Sequence, residues 1–294
     1  MNSDKFHAIG PFELVLPHDH MLDAYQERYR LYDWALGELA PLLLEKYPDA
    51  TAIDIGANIG DTAALLCRKR DIPVLCIEGH PHFAAYLRRN LQRLPGGIEF
   101  AECLIGSDAG SLPVQTLMSH HGTAGLGIPA TPDDGSGERI PVRPLADILR
   151  EHPRFQRARL LKSDTDGSDF AILTSSLDVL RETRPVLFFE YDPTLRMDGA
   201  KSARETISAL VKAGYRQFLV YDNFGHFMGS VNEDWSEKFL ALDHYLFSHL
   251  YFGRQVYYYD VCAFSEADDD LRQSLENTHR LLIEAALRED GRVF

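Results

Sequence analysis

The sequence predicts a doubly wound α/β domain built on a mostly parallel sheet. Three observations carry this. Candidate strands at 51–55, 73–77, 98–104, 159–163, 185–190 and 215–221 alternate with helical patterns near 59–70, 81–94, 168–181 and 200–213. The early strands are near-continuous apolar runs, as a parallel sheet covered on both faces requires. At 52–61 a strand leads through a glycine turn directly into a helix. Such a fold places its site at the carboxyl ends of the strands.

The elements follow in order. A strand-like opening at 12–16 precedes a helical pattern over 19–47, where Tyr25, Tyr29, Tyr32, Leu36, Leu39 and Leu43 form one stripe at spacings of four and three. Pro41 cannot donate to the preceding turn, so a kink or split is expected there. Residues 1–50 read as an N-terminal strand and helix cap on a central domain at 51–264. Within that domain, about 105–145 is rich in glycine and proline and is expected to be a long irregular insertion; such loops are often functional. After 221 come a turn, a helix around 233–250 and a strand at 255–264. Residues 265–294 form a C-terminal helix with Leu271, Leu275, Thr278 and Leu282 along one side. Ser265 and Asp268 fit a capping box, with Asp269 and Asp270 adding charge near the helix start. That helix either packs on its own domain or serves a homodimer.

Composition narrows the function. The 294 residues hold 30 Lys and Arg against 44 Asp and Glu, a net charge of −14. A nucleic-acid partner needs a basic face, and the basic residues here are scattered as short groups such as Arg68-Lys69-Arg70. Cys67, Cys76, Cys103 and Cys262 have neither metal-site nor disulfide spacing. The first residues lack the apolar core of a secretory signal, and no apolar stretch approaches bilayer length. The expectation is a reduced, cytoplasmic protein with no membrane span.

The most informative segment is Ala52-Ile53-Asp54-Ile55-Gly56-Ala57-Asn58-Ile59-Gly60-Asp61. A dinucleotide site would read GxGxxG and receive a pyrophosphate. Here the spacing is Gly56-x-x-x-Gly60, and Asp54 would repel a pyrophosphate while favouring an ammonium or sulfonium. Gly56 would let a ligand approach the backbone, with Asn58 in the same turn, and Gly60 would let the helix pack closely on the strand. The next strand ends in Glu78-Gly79, where Glu78 is placed to accept hydrogen bonds from a ribose diol. S-adenosylmethionine, an aminoacyl nucleoside without phosphates, fits both features.

A second strand end, Lys162-Ser163-Asp164-Thr165-Asp166-Gly167-Ser168-Asp169, should bring Asp164 and Asp166 to the same sheet edge as Gly56. Two nearby carboxylates suit proton abstraction or a divalent ion. Asp169 reads as a first-turn acid of the following helix, and Lys162 as the partner of a carboxylate. Glu190 ends an apolar strand and is read equally as a substrate contact or a structural acceptor. His120 and His121, in the glycine-rich insertion, are candidate bases. Tyr221, Phe224, His226 and Phe227 read as core and turn packing, and at least one ring of Tyr257-Tyr258-Tyr259 as core.

The segments DIGANIGDT, CIEGHP, LLKSDTDGSDFAIL and RPVLFFEYDP occur in an order that resembles the FkbM-type methyltransferase family, from about Thr51 to Asp192. The opening FELVLPHDHMLDAY resembles a subset linked to polysaccharide synthesis. Where the family runs close to LKIDVEGAE, this chain has Ser163 for an apolar residue and Asp166 for Glu. The resemblance implies a class I methyltransferase (Rossmann-like) fold, a mostly parallel sheet with an antiparallel last strand. It also implies O-methylation, often of sugar or polyketide hydroxyls.

The expected function is therefore methyl transfer from S-adenosylmethionine to a hydroxyl of a carbohydrate or nucleotide-sugar substrate. The cofactor set is Asp54, Gly56, Asn58, Gly60, Glu78 and Gly79, and the candidate bases are Asp164, Asp166 and His121. Two alternatives stand beside this reading. One is a metal-assisted O-methyltransferase on a small-molecule natural product, with Mg²⁺ held by Asp164, Asp166 or Glu190. The other is a non-catalytic binding subunit of a glycosyltransferase complex.

Overall fold

A computed structural model describes residues 4–120, 122–126, 137–232, 234–253 and 255–290. The chain opens with an antiparallel hairpin, β1 (Lys5–Ile9) and β2 (Phe12–Leu16), then α1 (Leu22–Arg28) and α2 (Trp34–Lys46). The alternating core follows as β3 (Ala52–Ile55), α3 (Asp61–Cys67), β4 (Val74–Ile77), α4 (Pro81–Leu91) and β5 (Ile98–Ala101). The insertion contributes β6 (Leu104–Ile105), β7 (Gly110–Pro113), β8 (Leu117–His120), β9 (Thr123–Leu126) and β10 (Arg139–Arg143). Then come α5 (Leu145–Glu151), β11 (Leu160–Ser163), α6 (Asp169–Ser175), α7 (Leu177–Thr183), β12 (Val186–Tyr191) and α8 (Gly199–Ala213). The chain ends with β13 (Tyr215–Asp222), β14 (Phe227–Val231), α9 (Trp235–Phe252), β15 (Tyr259–Ser265) and α10 (Asp269–Glu289).

The central sheet has the order β14-β13-β15-β12-β11-β3-β4-β5. The five strands from β5 to β12 are parallel, and β15 runs antiparallel between β12 and β13. This is the class I methyltransferase arrangement, with an added antiparallel edge strand, β14. Side chains alternate between its faces. Val74, Cys76, Leu160, Val186 and Phe188 join one buried cluster, and Leu75, Ile77, Leu161, Leu187 and Phe189 the other. That double coverage is why the strands read as continuous apolar runs.

The first cluster also contains Leu14, Leu36, Leu39 and Leu43 of the N-terminal segment and Leu271 and Leu275 of α10. The terminal helix therefore packs on its own chain. Its N-terminus does not use a capping box: neither Ser265 nor Asp268 makes a side-chain cap bond. Asp268 instead accepts from Tyr47 Oη at 2.7 Å and pairs with Lys46 at 3.1 Å, which ties α10 to the end of α2.

Three further expectations are corrected. The helical pattern over 19–47 splits at Tyr29–Asp33, not at Pro41. Asp33 takes a left-handed conformation (φ 55°), while α2 runs through Pro41 because buried leucines on either side hold it. The strand expected over 98–104 ends at Ala101, and Leu104 starts a different sheet. The insertion is not irregular where described. β6, β10 and β7 make a small sheet, and β8 and β9 a hairpin.

Candidate functional site

The turn after β3 is held by three backbone hydrogen bonds. Gly56 N and Ala57 N both donate to Ile77 O at the end of β4, at 3.0 and 3.1 Å, and Asp164 N donates to Ile55 O at 3.1 Å. Gly56, Asn58 and Gly60 all have positive φ, as does Asp166 in the neighbouring loop. Glycine and asparagine tolerate this region, and valine or isoleucine does not. The sequence DIGANIG thus encodes the sharp reversal itself.

Two cavities open at this sheet edge. Both are bordered by Gly56, Asn58, Asp164 and Asp166. The first is walled by Phe83, Leu104, Ile105, Leu112 and Val142, with Glu78, Gly79 and His80 along one side. Four of those apolar residues come from the insertion strands β6, β7 and β10. Glu78 is buried. Its Oε2 accepts from Asn58 N at 2.8 Å and its Oε1 from His80 N at 2.6 Å. Each oxygen keeps a further lone pair for a ligand hydroxyl. Burial pushes its carboxyl up to about 7 despite those two donors.

The second cavity is lined by His20, Tyr25, Tyr32, Asp61, Lys162, Glu190, Asp192, Tyr257 and Tyr258, among others. Lys162 is buried, 3.3 Å from Asp54 and 3.5 Å from Asp164, and its Nζ donates to Gly56 O at 3.2 Å. Burial alone would lower the Lys162 pKa, but the surrounding carboxylates hold it well above its usual value. Burial raises Asp54 to about 6 and pushes Glu190 well above the carboxylate range.

The expected site residues separate on this geometry. Gly56, Asn58, Asp164 and Asp166 meet where the cavities join, and Glu78 and Gly79 line the first. Asp54 lines neither cavity. It is fully buried, and Lys162 is its charge partner. Gly60 also lines neither. A Cβ there would lie 2.8 Å from Leu87 Cδ1, so the glycine admits α4 and not a strand. At Gly56 the demand comes from protein: a Cβ would run into the Asp164 carbonyl oxygen. Asp169 accepts from Ser163 Oγ at 2.6 Å and from Thr165 N at 3.3 Å, which fixes the loop that carries Asp164 and Asp166. Ser163, unusual for an apolar strand, has this acid as its partner. His121 lies outside the described residues. Among the described residues, no three His, Cys, Asp or Glu side chains are grouped to hold a metal ion.

The tyrosine stripe of the N-terminal segment is not simply core. Tyr25 and Tyr32 line the second cavity, as do Tyr257 and Tyr258, whereas Tyr259 is fully buried. Asn58 Nδ2 donates to Gly122 O at 2.6 Å, which links the turn to the insertion hairpin. Tyr221 and Phe227 pack on each other and on His279 of α10, as a core group should.

The buried carboxyls make a pH prediction. A carboxyl raised on folding binds its proton more tightly in the folded state, so its contribution to stability is lost as pH rises through the folded value. Asp33 and Glu78 are both pushed up to about 7, chiefly by burial. His20, His80 and His279, lowered by burial, act in the opposite sense, but only as pH falls toward and below their usual value of 6.5. The ligand-free protein should therefore have a lower Tm at a pH of about 8 than at about 6.5. A flat or rising Tm over that interval would contradict the burial of these groups.

A family model described as the methyltransferase FkbM domain matches residues 54–217. Similar solved structures include the methyltransferase FkbM from Methylobacillus flagellatus KT, at 20% identity and a TM-score of 0.42, covering 58% of this chain and 40% of that one. This chain thus spans less than half the length of that protein. The O-methyltransferase from Bacillus cereus in complex with SAH is 12% identical, with a TM-score of 0.41, covering 83% of this chain and 91% of that one. The precorrin-6y C5,15-methyltransferase from Geobacter metallireducens GS-15 is 12% identical, with a TM-score of 0.37 and coverage of 78% and 87%. Among curated proteins, none matches. No described helix is long and apolar enough to cross a membrane.

Proposed function

The chain belongs to the FkbM methyltransferase family, and from the way its two cavities join we propose that it methylates a carbohydrate hydroxyl with S-adenosylmethionine. The observation that carries this reading is the shared border of Gly56, Asn58, Asp164 and Asp166 between an apolar cavity beside Glu78 and a polar, tyrosine-walled one. The first cavity suits an adenosine. Its apolar walls can cover a base, and the free lone pairs of Glu78 can accept from a ribose diol. The second suits a polyol, because tyrosine rings offer flat apolar surface and carboxylates offer acceptors.

When bound, S-adenosylmethionine supplies a methyl group on a positively charged sulfur, and the electron pair of the breaking carbon–sulfur bond stays with that sulfur. The protein's share is positioning and proton handling. Gly56 and Asn58 form the sharp turn between the cavities, and Asn58 ties it to the insertion hairpin. Asp164 takes the proton of the acceptor hydroxyl as the new carbon–oxygen bond forms, since a protonated hydroxyl is a poor nucleophile. Lys162, fixed by Asp54, lies 3.5 Å from Asp164 and orients its carboxylate. Asp166 borders the same junction and is the second candidate for the proton. The biosynthesis of a polysaccharide or other glycan is the setting this chemistry suits.

The test is transfer of labelled methyl from S-adenosylmethionine to a panel of neutral glycans, nucleotide sugars and lipid-linked glycans, alongside calorimetry of cofactor binding. Binding with transfer to a glycan supports the reading. Binding with transfer only to non-carbohydrate acceptors overturns the substrate, and no binding overturns the enzyme reading. Glu78→Ala should weaken cofactor binding by ~1–3 kcal/mol, about 5- to 150-fold in Kd. Glu78→Gln keeps an acceptor for the diol and should lose less. Unchanged affinity in Glu78→Ala would place the ribose elsewhere.

A further inference from the structure

We propose that the second cavity selects an acceptor carrying an ammonium group and no anionic group, with Glu190 as the residue that anchors that ammonium. The inference rests on the reading that this cavity receives the acceptor of methyl transfer.

Charge is the first argument. Asp61, Asp164, Asp166 and Asp192 line the cavity beside Glu190, which burial favours as the neutral acid until a cation binds, and Lys162 is the one lysine or arginine among its described lining residues. That lysine is already placed between Asp54 and Asp164. His20 adds nothing, since burial lowers its pKa and favours the neutral ring. A methyl donor with a sulfonium, an ammonium and a carboxylate brings one net positive charge, which leaves the cavity acidic. A diphosphate or uronate would enter against like charges in a partly desolvated space, where repulsion is stronger than in water.

The second argument is Glu190 itself. It is only 6% exposed, it lines the cavity, and its carboxyl makes no hydrogen bond or ion pair among the described residues. Asp169 nearby, by contrast, accepts a hydroxyl and a backbone N–H. Buried carboxyls left without partners are rare, and one facing a cavity marks where a ligand donor belongs. An ammonium offers three donors and a charge that would ionise Glu190 on binding. The rings of Tyr25, Tyr32, Tyr257 and Tyr258 suit the same group, because aromatic faces attract cations.

The experiment measures methyl transfer from labelled S-adenosylmethionine in two matched series, with the methyl located by fragmentation. One series is a glucosamine oligosaccharide, its N-acetylated form and a glucuronate oligosaccharide. The other is a set of amino alcohols and hydroxy acids of equal chain length. The free amine should be preferred by about 30-fold or more in kcat/KM, as a desolvated ion pair implies. In Glu190→Gln that preference should collapse through KM for the amine alone, and Glu190→Asp should restore part of it. Equal use of amine and N-acetyl sugars overturns the inference and leaves the carbohydrate reading standing. Transfer confined to the amino alcohols supports the inference and overturns the carbohydrate reading. Transfer to carboxylates, or to neither series, overturns the inference.

Discussion

Asp164→Asn is expected to lower turnover by ~10²–10⁴-fold while leaving cofactor affinity within a few fold. The substitution keeps size and shape but removes the ability to accept a proton. Asp164 borders both cavities, its side chain is 49% exposed, and its backbone N–H is fixed on Ile55 O at 3.1 Å. The carboxylate is thus held at the junction by the main chain, and the amide should occupy the same place. Stopped-flow or initial-rate assays with labelled cofactor separate the effects: kcat should fall, and the cofactor Kd should not. Near-normal kcat would remove Asp164 as the base and turn attention to Asp166. Loss of wild-type activity in EDTA, restored by Mg²⁺, would recast Asp164 as a metal ligand.

Those features of the site that lie along one strand and its following turn were legible in the sequence. A strand ending at Ile55, a turn needing glycine, an acid at the end of the next strand and a paired-acid loop after β11 are local patterns, and parallel register brings them to one edge. The second cavity was not legible in the same way. Tyr25 and Tyr32 repeat at helical spacing whether their rings meet protein or empty space, and Tyr258 comes from the far end of the chain. Periodicity reports one face of an element, and only the assembled fold decides what lies against it. The acidic start of α10 misled for a related reason. Ser265 and Asp268 have cap-like spacing, but Lys46 and Tyr47 arrive from more than two hundred residues away and take the carboxylate. That Asp54 is the carboxylate Lys162 pairs with was likewise not legible, because the two are remote in sequence and adjacent only across the β3–β11 register.

Gly56→Val is expected to abolish cofactor binding and to lower stability by about 4 kcal/mol or more, the range that marks a backbone conflict in a buried site. Two independent effects add. Gly56 has φ 73°, a conformation that a β-branched residue adopts only under strain. Its Cβ would also run into the Asp164 carbonyl oxygen and lie 3.0 Å from the carbonyl carbon. Backbone cannot swing aside as a side-chain end can. Relief requires the loop after β11 to move away from the turn after β3, which drags Asp164 and the Lys162–Gly56 hydrogen bond with it. Gly60→Ala is the internal control. Its Cβ would meet Leu87 Cδ1 at 2.8 Å, and a leucine terminus can yield, although φ 91° still strains the alanine. Gly60→Ala should therefore fold with a moderate loss of Tm and retain cofactor binding. Gly56→Ala carries the same Cβ conflict as valine without the added methyls, so it should lose binding even where enough folds to be measured. Calorimetric Tm and cofactor titration on the three variants give the comparison. If Gly56→Ala binds as well as Gly60→Ala, the two strand ends are not locked together as the structure has them.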